Sequence, residues 1–126
     1  MKTYHHGNLK QELIDCACRL CERDGYTKLS IRSLAKESGV SQTAPYRHFK
    51  TKEVLYASVA TEGFKKLSKA FHIDVNKKIT KKHLVEIGCK YIEFGLKNAN
   101  TYDLMFGTAV GNFADYPELL ESANSS

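Results

Sequence analysis

Apolar residues recur every three or four positions along most of the chain, and no stretch alternates with the period of two that marks a half-buried strand. Leu9, Leu13, Ile14, Ala17, Leu20 and Cys21 predict a first helix from about Asn8 to Arg23, with Asn8 as its cap and Gln11 reaching back. Gly25 ends it, and Tyr26 is expected to pack against its last turn. A second amphipathic segment starts at Ser30, a natural N-cap, and sets Ile31, Leu34 and Ala35 on one face. Thr51 opens a long helix marked by Leu55, Val59, Phe64, Leu67 and Phe71. Residues 72–80 are polar and read as a bend or linker, and residues 1–6 as a short polar arm. The next helix, about 81–97, carries Leu84, Val85, Ile87, Tyr91, Ile92, Phe94 and Leu96 on more than one face, which predicts burial by several neighbours. Asn98-Ala99-Asn100 breaks it, and residues 101–106 form a short helix. Gly107 and Gly111 mark a loop, and Pro117 opens a last helix with Glu118 and Leu119. The fold class is all-α. The chain stops soon after that last helix begins, which reads as a helical domain with a piece missing.

Residues 30–49 carry the most information. Gly39 stands where the segment begun at Ser30 must stop and reverse, a position that favours a residue tolerating positive φ. Ala35, one turn earlier, is small enough for a second helix to cross close by. Ser41 is placed to cap that helix, with Val40, Tyr46 and Phe49 pinning its inner side, while Pro45 removes a backbone donor near its first turn. Two helices hinged in this way form a helix-turn-helix whose second member protrudes, the arrangement that enters a DNA major groove.

Charge supports that direction. The net charge is +5, but residues 1–70 hold thirteen Lys and Arg against seven Asp and Glu, whereas residues 71–126 hold six against seven. A basic half joined to a neutral half suggests one polyanion-facing module and one with another task. A membrane surface is a weaker partner for it, since no basic face is paired with an exposed aromatic stripe. The 42% hydrophobic content is that of a globular protein, with no run long enough to cross a bilayer and no signal peptide, so the expected location is cytoplasmic.

Cys16, Cys18, Cys21 and Cys89 do not make a disulfide framework. Cys16 and Cys18 point roughly 200° apart on a helix, which spoils a shared metal site. His83 and Cys89 do not share a helical face either, so no metal and no cofactor are expected. No nucleophile set, carboxylate pair or phosphate loop supports an enzyme. The remaining alternative to DNA binding is a helical protein-binding adaptor with a basic face.

One family resemblance covers about half of the chain. Leu-Ile-Asp-Cys-Ala at 13–17, Gly25-Tyr26, Ser-Ile-Arg-Ser-Leu-Ala at 30–35, Gly39-Val40-Ser41, Tyr46-Arg47-His48-Phe49 and Lys52-Glu53-Val54-Leu55 resemble, in order and spacing, the TetR family of bacterial transcriptional regulators. The resemblance implies a three-helix DNA-binding domain, residues 1–52, joined by a long fourth helix to a helical ligand-binding and dimerisation domain that starts at residue 53 and runs to 126. It implies a homodimer, formed through helices beyond Ser126, that binds a palindromic double-stranded operator and responds to a small-molecule effector, most often as a repressor. Arg32, Gln42, Thr43 and Ala44 are then the candidates for base contacts, with Gln42 foremost because its amide can both donate to and accept from adenine. Ser30, Ser41, Tyr46, Arg47, His48 and Lys52 are the phosphate candidates, and Lys50 adds non-specific attraction. Lys52 joins its charge to the N–H groups of a helix start. In the second half, Tyr91, Phe94, Tyr102, Met105, Phe106, Phe113 and Tyr116 are expected to line an apolar effector pocket.

Overall fold

The computed structural model describes residues 8–70 and 80–124. The polar arm, Phe71 and nearly all of the expected linker lie outside those residues. Among the described residues there are six α-helices and no strand: α1 (Leu9–Asp24), α2 (Ile31–Ser38), α3 (Lys52–Ala70), α4 (Lys81–Lys97), α5 (Ala99–Phe106) and α6 (Pro117–Asn124). Three short 3₁₀ helices, Tyr26–Lys28, Ala44–Arg47 and Phe113–Asp115, lie in the connections.

Most helix ends follow from local chemistry. Ser30 and Ser33 form a reciprocal box: Ser33 N–H donates to Ser30 Oγ at 2.9 Å, and Ser30 N–H donates to Ser33 Oγ at 3.0 Å. Gly39 adopts φ 72° and ψ 24°, the left-handed conformation that closes α2, and the next amide, Val40 N–H, donates back to Ala35 O at 3.1 Å. Thr51 Oγ1 accepts from Val54 N–H at 3.2 Å at the start of α3. Asn8 is different, because its side chain makes no cap bond, and Gln11 Nε2 donates to Asp15 Oδ1 instead.

α3 is the central element, packed by α1, α4, α5 and α6. Leu13 of α1, Leu34 of α2, Leu55 and Val59 of α3, Leu104 of α5 and Leu119 of α6 are all at most 1% exposed and belong to one core. That core runs past residue 52 without a break, since α3 serves both halves. α5 lies close on α3 because Gly63 has no side chain: a Cβ there would stand 2.6 Å from Met105 Sδ and 2.9 Å from Thr101 Cγ2.

α4 departs from expectation. Its bounds, Lys81–Lys97, match the predicted ones, but Phe94 is its one buried residue. Leu84, Val85, Tyr91, Ile92 and Leu96 are exposed. Periodicity made the helix, yet among the described residues only α3 and α5 pack on it to any extent, so one stripe is covered and the rest is not. α5 also begins earlier than expected, at Ala99. Asn98 is at once the C-cap of α4 and the N-cap of α5, so the chain bends without a loop.

Candidate nucleic-acid interface

The segment after Gly39 is not a regular recognition helix. Gln42 and Thr43 form a turn, and Ala44–Arg47 follow as a 3₁₀ helix. The cause is Pro45. An α-helix capped at Ser41 would make its first bond from residue 45 to the carbonyl of Ser41, and proline has no N–H to give. Ala44 N–H donates to Ser41 O at 3.2 Å instead, and Tyr46 N–H to Thr43 O at 3.2 Å, both in the tighter pattern. Ser41 makes no backbone cap; its Oγ lies 3.3 Å from Thr43 Oγ1.

The inner side of this segment is held by Pro45 and Phe49, both fully buried. Phe49 N–H and His48 N–H both donate to Pro45 O, at 2.9 and 3.0 Å. Val40 is half-buried against the core. Tyr46, expected to pin the inner side, is 52% exposed. Pro45 and Phe49 lie four residues apart and are joined by the α-type bond from Phe49 N–H to Pro45 O, which sets both on the core side and leaves Tyr46 outside.

Gln42, Thr43, Tyr46 and Arg47 are therefore solvent-facing neighbours on a short rigid projection, with Ala44 and His48 half-buried beside them. The His48 ring meets the Phe49 ring edge-on at 6.3 Å, which ties it to the core from the side. Arg32, the second residue of α2, is exposed. The Ser30 hydroxyl is already engaged as the α2 cap and keeps only its own proton to offer a phosphate. Lys52, the first residue of α3, has its ammonium 5.7 Å from the Tyr56 ring centroid, a cation–π approach that orients it beside the helix start.

The electrostatics of residues 26–52 are one-sided. Lys28, Arg32, Lys36, Arg47, Lys50 and Lys52 are all exposed, and none forms an ion pair among the described residues. The one carboxylate in that stretch, Glu37, is held by Arg23 Nη1 at 3.1 Å. Lys28 and Lys36 were absent from the sequence-based set. Lys36 had a signal, since it lies four residues after Arg32 and hence on the same helix face.

The seven residues expected to line an effector pocket do not come together on one wall. Phe94 and Met105 are buried in the core. Tyr91, Tyr102 and Phe106 form a surface chain: the two tyrosine hydroxyls are 3.1 Å apart, and the Tyr102 and Phe106 rings are 4.7 Å apart. The hydrogen bond to Tyr102 holds the Tyr91 phenol above its usual range. Phe64 links this chain to Phe113 through edge contacts with Phe106 and Phe113 at 5.3 and 6.0 Å, and Tyr116 is half-buried nearby against the core. None of the seven lines the 630 Å³ cleft between α1, α3 and the start of α5, whose walls include Cys18, Arg19, Glu22, Glu62, Lys66 and Thr101. Phe94 alone of the seven lines a smaller cleft of 330 Å³ beside α4.

The thiols of α1 are shielded. Cys16 and Cys21 are buried, and burial pushes Cys18 up to about 12, with Glu62 adding to the effect. Among the described residues no group of three or more His, Cys, Asp or Glu is arranged to hold a metal ion, and no helix is long and apolar enough to cross a membrane.

Comparison with known proteins agrees with this geometry. Residues 13–59, which span the end-to-end core of the projection and its supports, match the family described as bacterial regulatory proteins, tetR family. A solved protein of unknown function from Rhodococcus sp. RHA1 is similar over 99% of this chain, at 29% identity and a TM-score of 0.78. The chain spans 65% of that protein's length. No curated protein matches it. Residues 13–59 thus carry the helix-turn-helix domain found at the N-terminus of the tetR family of bacterial regulatory proteins.

Proposed function

We propose that this regulator is a homodimeric repressor that reads a palindromic operator and is released by a small molecule bound in its second half. The observation that carries the reading is the pairing of six unpaired cations over residues 28–52 with an exposed, proline-stiffened projection bearing Gln42 and Thr43. Cations of this kind neutralise phosphates without reading sequence, and the amide of Gln42 supplies the reading. Tyr46, Arg47, His48 and Lys52 fix the register on the backbone. Two such projections about 34–36 Å apart enter successive major grooves. The shortened 3₁₀ form makes the reading footprint small, so Arg32 at the start of α2 is the natural second base or phosphate contact. The aromatic chain from Tyr91 to Phe113 is the wall against which an apolar effector is expected to lie, with Tyr91 and Tyr102 offering hydroxyls.

Selection of the full chain on a random duplex library tests the reading, and an enriched inverted repeat is the expected result. On that site Gln42→Ala is expected to cost about 1–3 kcal/mol and relax preference at one position per half-site. Lys52→Ala is expected to weaken binding on all sequences and lower the salt slope by about 1. Unchanged preference in Gln42→Ala would remove Gln42 as the base reader. Binding without enrichment and without salt dependence would point to a protein partner instead.

A further inference from the structure

The start of α5 is capped by a residue from another helix. Helix starts leave N–H groups without intrahelical partners, and the residue at the N-cap usually serves one of them. Asn98 does not: its Nδ2 donates backward to Phe94 O at 3.1 Å, and its Oδ1 accepts from Lys66 Nζ at 2.7 Å. The donors of α5 are met by Glu22 in the last turn of α1. Thr101 N–H, the third in α5, donates to Glu22 Oε2 at 3.3 Å, and Thr101 Oγ1 donates to the same oxygen at 2.7 Å. Asn100 Nδ2 donates to the Glu22 backbone oxygen at 2.7 Å. A carboxylate at a helix start is also favoured by the helix dipole.

The same turn of α1 is tied to the DNA-binding elements. Arg23, the next residue, reaches Glu37 at the end of α2, two residues before the reversal at Gly39. Three residues on, Tyr26 O accepts from Tyr56 Oη of α3 at 2.9 Å, and their rings meet edge-on at 5.6 Å. Gly63 keeps α5 pressed against α3, so α5 cannot move far on that side without dragging Thr101.

We propose that the Glu22 clamp on Asn100 and Thr101 is the contact by which the position of α5 is imposed on the helix-turn-helix. The Arg23–Glu37 pair is exposed on both sides and is screened by salt, so it directs rather than carries the coupling. The stronger link is the half-buried clamp, whose loss leaves α5 without a cap and frees the end of α1. Coupling of this kind is reciprocal: whatever stabilises α5 in its present place also stabilises the present position of the reading segment. This inference rests on the reading of α5 as part of the regulatory half.

Hydrogen exchange on the full chain tests it without any effector. Thr101→Val removes the hydroxyl with little change of shape, Glu22→Ala removes the acceptor, and Thr101→Ser keeps the bond. Exchange is expected to rise by at least about fivefold both in the first turn of α5 and at residues 41–49 in Thr101→Val and Glu22→Ala, and to stay near wild type in Thr101→Ser. Protection of residues 13–20 in the core of α1 is expected to hold. Faster exchange in α5 alone, or an equal loss of protection everywhere, would overturn the proposal by reducing the clamp to a structural cap. If Glu22→Ala does not fold, Thr101→Val decides alone. Failure of the wild-type chain to bind any duplex would overturn the proposed function while leaving the exchange result, and thus the coupling, as measured.

Discussion

α2 and α4 begin with the same local device. Ser30 and Ser33 exchange backbone and side-chain bonds at 2.9 and 3.0 Å, and Thr80 and His83 do so at 3.3 and 3.4 Å. Both helices are amphipathic, and both boundaries follow from sequence. Their fates differ because their surroundings do. α2 sits between α1 and the projection and buries Ile31, Leu34 and Ala35, whereas α4 touches the remainder along one stripe and leaves Leu96 78% exposed. Local signals make a helix; only neighbours bury it.

The comparison can be broken most sharply by truncation. Leu34→Ala is expected to lower stability by about 2–5 kcal/mol, since Leu34 is fully buried and its removal leaves a cavity. Leu96→Ala is expected to stay within about 0.5 kcal/mol. Urea unfolding measures both, and a costly Leu96→Ala would mean that the α4 face is covered in solution. A smaller contrast lies in the caps. Ser30→Ala should cost about 0.5–2 kcal/mol, with Thr80→Ala at the lower end of that range because its bonds are longer. Thermal midpoints of the two variants compare them directly.

The thiols give a third contrast. Cys89 on α4 is exposed, whereas burial raises Cys18 to about 12 and Cys21 to about 11. One cysteine per chain, Cys89, is expected to react quickly with a maleimide at pH 8, and mass mapping identifies it. The two raised thiols hold their protons to higher pH than in the unfolded chain, whose ordinary value is 9.0. Their stabilising contribution is therefore full below about 9 and is lost as pH rises from there toward about 12. Denaturant midpoints across that window are expected to fall.

Much of the architecture was readable in advance where chemistry is local. Ser30, Gly39, Thr51 and Pro117 each act within a few residues, and each marks an element end in the structure. Of the candidate contact residues, Gln42, Thr43, Tyr46 and Arg47 share one exposed projection, while Arg32 lies on α2 and Lys52 on α3, and the projection is not the regular helix that the motif spacing predicts. Pro45 was visible as an anomaly, while its consequence, a 3₁₀ segment that turns Tyr46 outward and Pro45 inward, depended on which residue meets the core. The expected effector-pocket residues are split between core and surface, because helical spacing says which residues share a face and not what stands opposite.

By itself, then, the sequence determined most helix boundaries, the reversal at Gly39, the basic character of residues 26–52 and the likeness of residues 13–59 to the tetR-family N-terminal domain. Those properties are set by side chains a few positions apart and by charge, which needs no fold to be counted. The tertiary structure alone decided the exposure of α4, the start of α5 at Ala99 and the Glu22–Thr101 clamp. These depend on residues brought together from up to 79 positions apart, and no short-range pattern records which carboxylate will meet which helix start.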